Sequence, residues 1–242
     1  MDNELLLLSG EDIPFTEAQV TIHQPRIKEI SLIGEDNFFA GCQFLIFSKE
    51  NLSEEDRIGL EDKSDFDIFM SIMCGNEKMQ YKECTLMLLT LLFPEYQIKM
   101  THTDIVLFNE NFSARINNAN YDAFKSIIIN MFELYDSDGA AVGYNPVDSK
   151  ARKIAEKLRK GKEKIAKNKD VKKIAIFSRY ASILAVGLSQ DINSFMNYTV
   201  FQLKDEFKRF QMKQSYDIYI QAKMAGAQGL DEVDNWMDDI HP

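Results

Sequence analysis

Three histidines, at positions 23, 102 and 241, are all that the chain offers for imidazole chemistry near neutral pH. His23 stands just before Pro25, His102 falls between two short strand-like segments, and His241 is the penultimate residue. They make no HxxxH, no HExxH and no Ser–His–Asp pattern, so the residue types for a zinc site or a base-activated nucleophile are not brought together. Carboxylates are more plentiful. Asp65 and Asp67, with Glu61 and Asp62 upstream, could hold magnesium for phosphoryl transfer, but they come without a phosphate-cradling glycine loop or a paired lysine. A solvated helix start accounts for them better. Asp136-Ser137-Asp138-Gly139 begins like a calcium loop, yet Tyr144-Asn145-Pro146 stands where the bidentate glutamate should fall. Gly226 and Gly229 follow a helical pattern instead of a strand, which makes them a helix end and not a nucleotide loop. A metal-dependent hydrolase on Asp65, Asp67 or Asp136 therefore ranks last. The expectation is a non-enzymatic protein with no catalytic, cofactor-binding or metal-binding residue.

Charge and one aromatic carry more information than any reactive group. Between Lys150 and Lys173 there are twelve Lys or Arg against Glu156, Glu163 and Asp170, a local net of +9. The whole chain is at −10, so the remainder carries −19. Such segregation suits a basic helix that faces an acidic surface, in this chain or in another. Within it Arg152, Lys153, Lys157, Arg159 and Lys160 are the expected partner-binding residues. Trp236, the only tryptophan, sits in Val233-Asp234-Asn235-Trp236-Met237-Asp238-Asp239-Ile240 and is the other candidate contact. An aromatic among acids makes a good interface anchor, although it can equally fold back onto its own helices. Nucleic acid is the competing partner for the basic run. It is disfavoured, because the run has no aromatic for base stacking before Phe177 and Tyr180 and the chain as a whole is acidic, with pI near 4.9.

These groups need a scaffold, and the composition provides for one. The 242 residues are 45% hydrophobic and 27% charged, which excludes a disordered or collagen-like chain and allows one large domain or two small ones. No apolar run is long enough to span a bilayer. Met1-Asp2-Asn3-Glu4 lacks the positive start of a secretory signal, so a cytosolic protein without membrane association is expected. Cys42, Cys74 and Cys84 are odd in number and widely spaced, as reduced core thiols would be.

The predicted class is α+β and mainly helical, with an N-terminal hairpin and a small antiparallel meander in the first half and an all-helical C-terminal half. Glu4–Leu8 and Ala18–His23 read as strands around the turn-rich segment from Ser9 to Pro14. Pro25 suits the first turn of a helix through Ile30. Phe38–Phe47 is apolar on most sides, and Ser53-Glu54-Glu55-Asp56 has the cap and acids of a new helix. Helices follow over Asp65–Cys74 and Lys78–Phe93, the second stopped by Pro94. Tyr96–Thr101, Asp104–Asn109 and Phe112–Ile116 alternate as a meander, and a helix over Asn120–Tyr135 closes this half. A Gly, Asp, Ser and Pro cluster at 137–147 is the expected linker between a mixed domain at 1–136 and a helical domain at 148–242. The latter has a basic first helix, a second over Ile174–Leu188, a third from Thr199 to about Lys223, and an acidic tail.

Several motifs go beyond periodicity. Leu7-Leu8-Ser9-Gly10-Glu11-Asp12-Ile13-Pro14, then Val20-Thr21-Ile22-His23-Gln24-Pro25-Arg26-Ile27 and Ile33-Gly34-Glu35-Asp36-Asn37-Phe38-Phe39, open the chain. Tyr144-Asn145-Pro146, Ser178-Arg179-Tyr180-Ala181-Ser182, Thr199-Val200-Phe201-Gln202-Leu203 and the ending around Trp236-Met237-Asp238-Asp239-Ile240 occupy the second half. This pattern resembles a group of tailed-bacteriophage and prophage morphogenesis proteins, similar to tail-assembly chaperones and baseplate-hub assembly factors. The resemblance implies a protein-binding role toward tape-measure or hub components or a further copy of itself, in the host cytoplasm or the virion tail. It transfers no active-site residue. The alternative function is a nucleic-acid-binding phage regulator or packaging accessory that uses the basic run.

Overall fold

The computed structural model describes residues 3–51, 59–60, 62–75, 80–134, 176–229 and 233–237. Among these the protein is α+β, with helices dominant and two small antiparallel sheets confined to the first half. The expected linker at 137–147, the basic segment and the helix expected from Ser53 lie outside the described residues.

The chain opens with helix α1 (Asn3–Ser9), then the hairpin β1 (Ile13–Phe15) and β2 (Val20–Ile22). The strand expected over Glu4–Leu8 is thus a helix. Leucine favours helix, the run never alternates polar with apolar, and Leu7 is the buried member of the turn. Gly10, at φ +71°, closes α1 through its N–H to the Leu7 carbonyl, so the Ser9–Gly10 turn residues end a helix and the first strand is displaced to Ile13. In the hairpin, Ile13 faces Ile22 and Phe15 faces Val20, all four buried, while Pro14 and Thr21 point outward.

Arg26 precedes α2 (Ile27–Ile33), where the Glu29 carboxylate accepts the Arg26 backbone N–H at 2.6 Å. Next come α3 (Glu35–Leu45), a short 3-10 turn at Lys49–Asn51, α4 (Asp65–Cys74) and α5 (Gln80–Leu92). Ser64 and Asp67 form a reciprocal cap on α4, with Asp67 N–H donating to Ser64 Oγ and Ser64 N–H to Asp67 Oδ2, both at 3.1 Å. Asp67 is therefore spent on helix initiation, and the Ser64 bonds, hydroxyl first, hold its carboxyl below the usual range. Helices α3 and α5 pack most extensively, because Gly41 lets the two backbones meet: a Cβ there would lie 2.7 Å from the Cys84 carbonyl oxygen.

The meander is β3 (Gln97–Met100), β4 (Ile105–Phe108) and β5 (Ser113–Ile116), with Ile105 of the central strand opposite both Met100 and Ile116. Helix α6 (Tyr121–Phe132) follows. The C-terminal part contributes α7 (Ile176–Leu188), α8 (Ile192–Met196) and α9 (Val200–Met224). Helix α8 has no counterpart in the sequence reading: five residues are too short for a periodic signal, and its start rests on Asp191, which accepts the Asn193 N–H at 3.0 Å.

One hydrophobic cluster joins the parts. Phe15, Phe93, Phe124, Tyr121, Phe66 and Phe69 form a chain of ring contacts through the first half. Phe177 of α7 enters the same cluster against Phe38 and Phe39, at centroid distances of 5.9 and 5.3 Å, and Phe195, Val200 and Leu203 are buried with it. Cys42 and Cys84 are buried free thiols, and Cys74, half-buried, donates to the Thr101 carbonyl. Burial pushes the Cys42 thiol far up, which leaves it inert.

Candidate functional site

The carboxylate weighed for metal chemistry lies in a polar cleft of about 230 Å³ bordered by Ser48, Lys49, Ser64, Asn118 and Tyr121. Asp65 accepts the Lys49 backbone N–H at 2.9 Å and the Lys125 ammonium at 3.0 Å, while Lys125 also reaches the Phe47 carbonyl at 3.3 Å. Burial would raise the Asp65 carboxyl, but these donors outweigh it and hold it below the usual carboxylate range. The Tyr121 hydroxyl donates to the Leu45 carbonyl at 2.6 Å. The cleft is thus a tie between α4, α6 and the end of α3, with its strong acceptor already engaged by a lysine. Asp62 is exposed, and Glu61 and Asp136 lie outside the described residues. Among the described residues, no group of three His, Cys, Asp or Glu side chains is placed to hold a metal ion.

His23 bridges two carboxylates, with Nδ1 2.9 Å from Asp12 Oδ1 and Nε2 3.3 Å from Glu29 Oε2. Glu29 also receives the Arg26 N–H, so the imidazole links the hairpin to the start of α2. No nucleophile takes part in these contacts. His102 is exposed in the β3–β4 turn, and His241 lies outside the described residues.

The C-terminal helices offer a different kind of site. Their roots are fastened to the first half by polar contacts as well as by the core. Glu35, in the first turn of α3, accepts the backbone N–H groups of Ile176 and Phe177 at 2.6 and 3.1 Å, supplying partners for two donors at the start of α7. Gln202 shares a reciprocal cap with Thr199 and sends its amide to the Leu8 carbonyl at 2.7 Å. Lys204 donates to the carbonyls of Phe132 and Glu133 at 2.7 and 3.0 Å, closing the C-terminus of α6. Burial lowers the Lys204 ammonium from its ordinary value, and Glu133 and Cys42 oppose that shift.

Beyond Phe207 the character of α9 changes. The helix has 25 residues, about 37 Å of length at 1.5 Å per residue. Buried positions cease after Asp205, and Ile218 and Met224 are exposed at 66% and 84%. On α7, Ile176, Ile183 and Val186 face outward at helical spacing, Val186 at 84%. Eight of the fourteen exposed large apolar side chains among the described residues fall within 176–237. The two helices meet at Gly187, over which the Phe210 ring lies so closely that a Cβ would come within 2.2 Å of it, and Tyr180 stacks on Phe207 at 3.9 Å.

Trp236 is half-buried, and its carbonyl accepts Arg209 Nη1 of α9 at 3.1 Å. Arg152, Lys153, Lys157, Arg159 and Lys160 lie outside the described residues. Sequence reasoning missed Arg209, Glu35, Gln202 and Lys204. Gln202 carried a local signal in the Thr-x-x-Gln cap and Arg209 one in its i, i+4 pairing with Asp205, but the contacts of all four with other parts of the molecule join residues distant in the chain. Among the described residues no helix is long and apolar enough to cross a membrane.

No curated protein and no solved structure matches the chain significantly. A family model does match one part of it, over residues 167–241, about a third of the chain and the span that holds α7, α8, α9 and the tryptophan-bearing tail. That part is similar to the YomV second domain, a family associated with phages and prophages.

Proposed function

We propose that this is a non-enzymatic bacteriophage tail-morphogenesis protein, an assembly chaperone or baseplate-hub component that binds other tail proteins through its C-terminal helices. The observation that carries the reading is the contrast within α9, whose root is buried in the common core while its outer half presents Ile218 and Met224 to solvent. A rigidly rooted helix with an exposed apolar outer half is suited to receiving a partner, since little ordering entropy remains to be lost on binding. The phage-associated family match over the same span supports the setting, and the tape measure or hub components are the proposed partners in the host cytoplasm. Deleting the gene from its phage or prophage and examining induced lysates by electron microscopy tests the proposal. Capsids that accumulate without tails, restored by the gene in trans, are expected; normal tails in normal numbers would refute it. The basic run at 150–173 supports the second reading, a nucleic-acid-binding regulator or packaging accessory, which requires DNA or RNA binding that falls steeply with salt.

A further inference from the structure

His23 meets a carboxylate at each ring nitrogen, Nδ1 at 2.9 Å from Asp12 and Nε2 at 3.3 Å from Glu29. A neutral imidazole has one N–H and one lone pair, so it can donate to only one carboxylate and turns its lone pair on the other. Only the doubly protonated ring satisfies both contacts. The charged groups around it are Asp12, from the turn before β1, and Glu29 of α2, with Arg26 at the cap of α2 beside Glu29. From the end of α5 comes the Leu92 carbonyl, which accepts the His23 backbone N–H at 2.9 Å. Among the described residues no other charged side chain is in hydrogen-bond contact with the ring.

Both carboxylates stand on segments that touch the start of α9. The turn that carries Asp12 begins at Gly10, where a Cβ would lie 3.0 Å from Gln202 Nε2 and 3.3 Å from Thr199 Cγ2. On the side of Glu29, Arg26 forms an antiparallel bridge with Thr199, and the Ile27 N–H donates to the Tyr198 carbonyl at 2.9 Å. Thr199 and Gln202 are the reciprocal cap of α9. Buried Gln24 ties the same turn from within, its amide reaching the Leu6 and Glu11 carbonyls at 3.1 and 2.6 Å. His23 joins the two segments from the more exposed side.

We infer that His23 is a proton-operated clasp at the seat of the C-terminal helices: with two protons it holds the Gly10–Asp12 turn to α2 beside the cap of α9, and with one it lets Asp12 go. Asp12 is the partner released, because its side chain is 49% exposed against 34% for Glu29, and Glu29 also receives the Arg26 N–H at 2.6 Å. Burial would raise the Glu29 carboxyl, but the Arg26 backbone bond and His23 outweigh it and keep it below the usual range. Glu29 therefore stays ionised where an imidazole gains its second proton. The clasp contributes on the acid side of neutrality and is lost as pH rises, since its closed form needs the extra proton. It acts within the chain and does not depend on which partner the C-terminal helices bind.

Denaturant unfolding of the full chain and of its His23→Gln variant, whose side chain cannot gain a proton, tests the clasp at two pH values. At about pH 5.5 the unfolding constant of the variant should exceed that of the wild type by about two- to fivefold, the range for ion pairs this exposed. At about pH 8 the ratio should fall toward unity. Asp12→Asn should abolish this pH dependence, because the ring then has no second carboxylate to hold. A measurement on the wild type needs no variant: nitrogen NMR at about pH 5.5 should find both ring nitrogens of His23 protonated. Raising the pH should then move the ring signals together with the backbone amides of Asp12 and Gln202. The same ratio at both pH values, an Asp12→Asn chain with the wild-type pH response, a singly protonated ring at pH 5.5, or a ring that titrates without moving those amides would each overturn the inference.

Discussion

The first two turns of α9 and its outer half belong to one continuous helix, yet they answer to different physics. At the root, Val200, Phe201 and Leu203 are buried, Thr199 and Gln202 cap the start, and Lys204 closes the end of another helix. In the outer half Ile218 and Met224 are exposed while Phe210, Met212, Tyr216, Tyr219 and Ile220 are half-buried, and the ion pair Lys213–Asp217 at 2.6 Å is of the exposed i, i+4 kind that contributes about 0.3–0.5 kcal/mol. The fully buried positions of α9 all lie at the root, so substitutions there should cost more than substitutions in the outer half.

Mutations should separate the two regions by size of effect. Phe195→Ala, beside the root of α9 and fully buried, should lower unfolding free energy in a denaturant titration by about 3–5 kcal/mol, the range for aromatic truncation in a core. A loss below about 1 kcal/mol would mean that the root is not part of the common core. Gly41→Ala comes next. Its Cβ would press on the Cys84 carbonyl, a backbone atom that cannot rotate away, so a loss of about 1–3 kcal/mol is expected, with α3 and α5 displaced.

Asp65→Asn tests the tie at the polar cleft and should cost about 1–2 kcal/mol at neutral pH by weakening the hydrogen-bonded pair with Lys125. The pH dependence has a definite sign. Asp65 has a folded-state pKa below its unfolded value of about 3.9, so its contribution is complete above that value and is lost as pH falls through the folded one. Acid titration of the variant should therefore show a shallower loss of stability below about pH 4; an unchanged acid limb would remove Asp65 from the account. Glu35→Gln should cost about 0.5–1 kcal/mol and speed amide exchange at Ile176 and Phe177, the two N–H groups it accepts. Smallest of all, Ile218→Ala with Met224→Ala should leave stability within about 0.5 kcal/mol of wild type. A large loss there would show that the outer half is structural.

Much of the scaffold was legible from local pattern. The meander strands alternate and are separated by short polar turns, so 97–100, 105–108 and 113–116 fall within the predicted segments. The helices beginning near Asp65 and Thr199 were read without their caps, although Ser64 with Asp67 and Thr199 with Gln202 have the three-residue spacing whose bonds close within a single turn. Glu4–Leu8 failed for a local reason as well, because a short leucine run carries no period to distinguish strand from helix.

The contacts that fasten the C-terminal helices were less accessible. Glu35 reaches α7 across 141 residues, Gln202 reaches Leu8 across 194, and Arg209 meets Trp236 across 27. Spacing along a chain determines which backbone groups a helix start leaves unpaired and which face of a helix is apolar. It carries no information on which distant carboxylate or carbonyl will satisfy those groups, or on where along a 25-residue helix the core ends. Those were settled by packing, since burial of Phe177, Phe195 and Leu203 in the common cluster brings remote polar partners within hydrogen-bond reach.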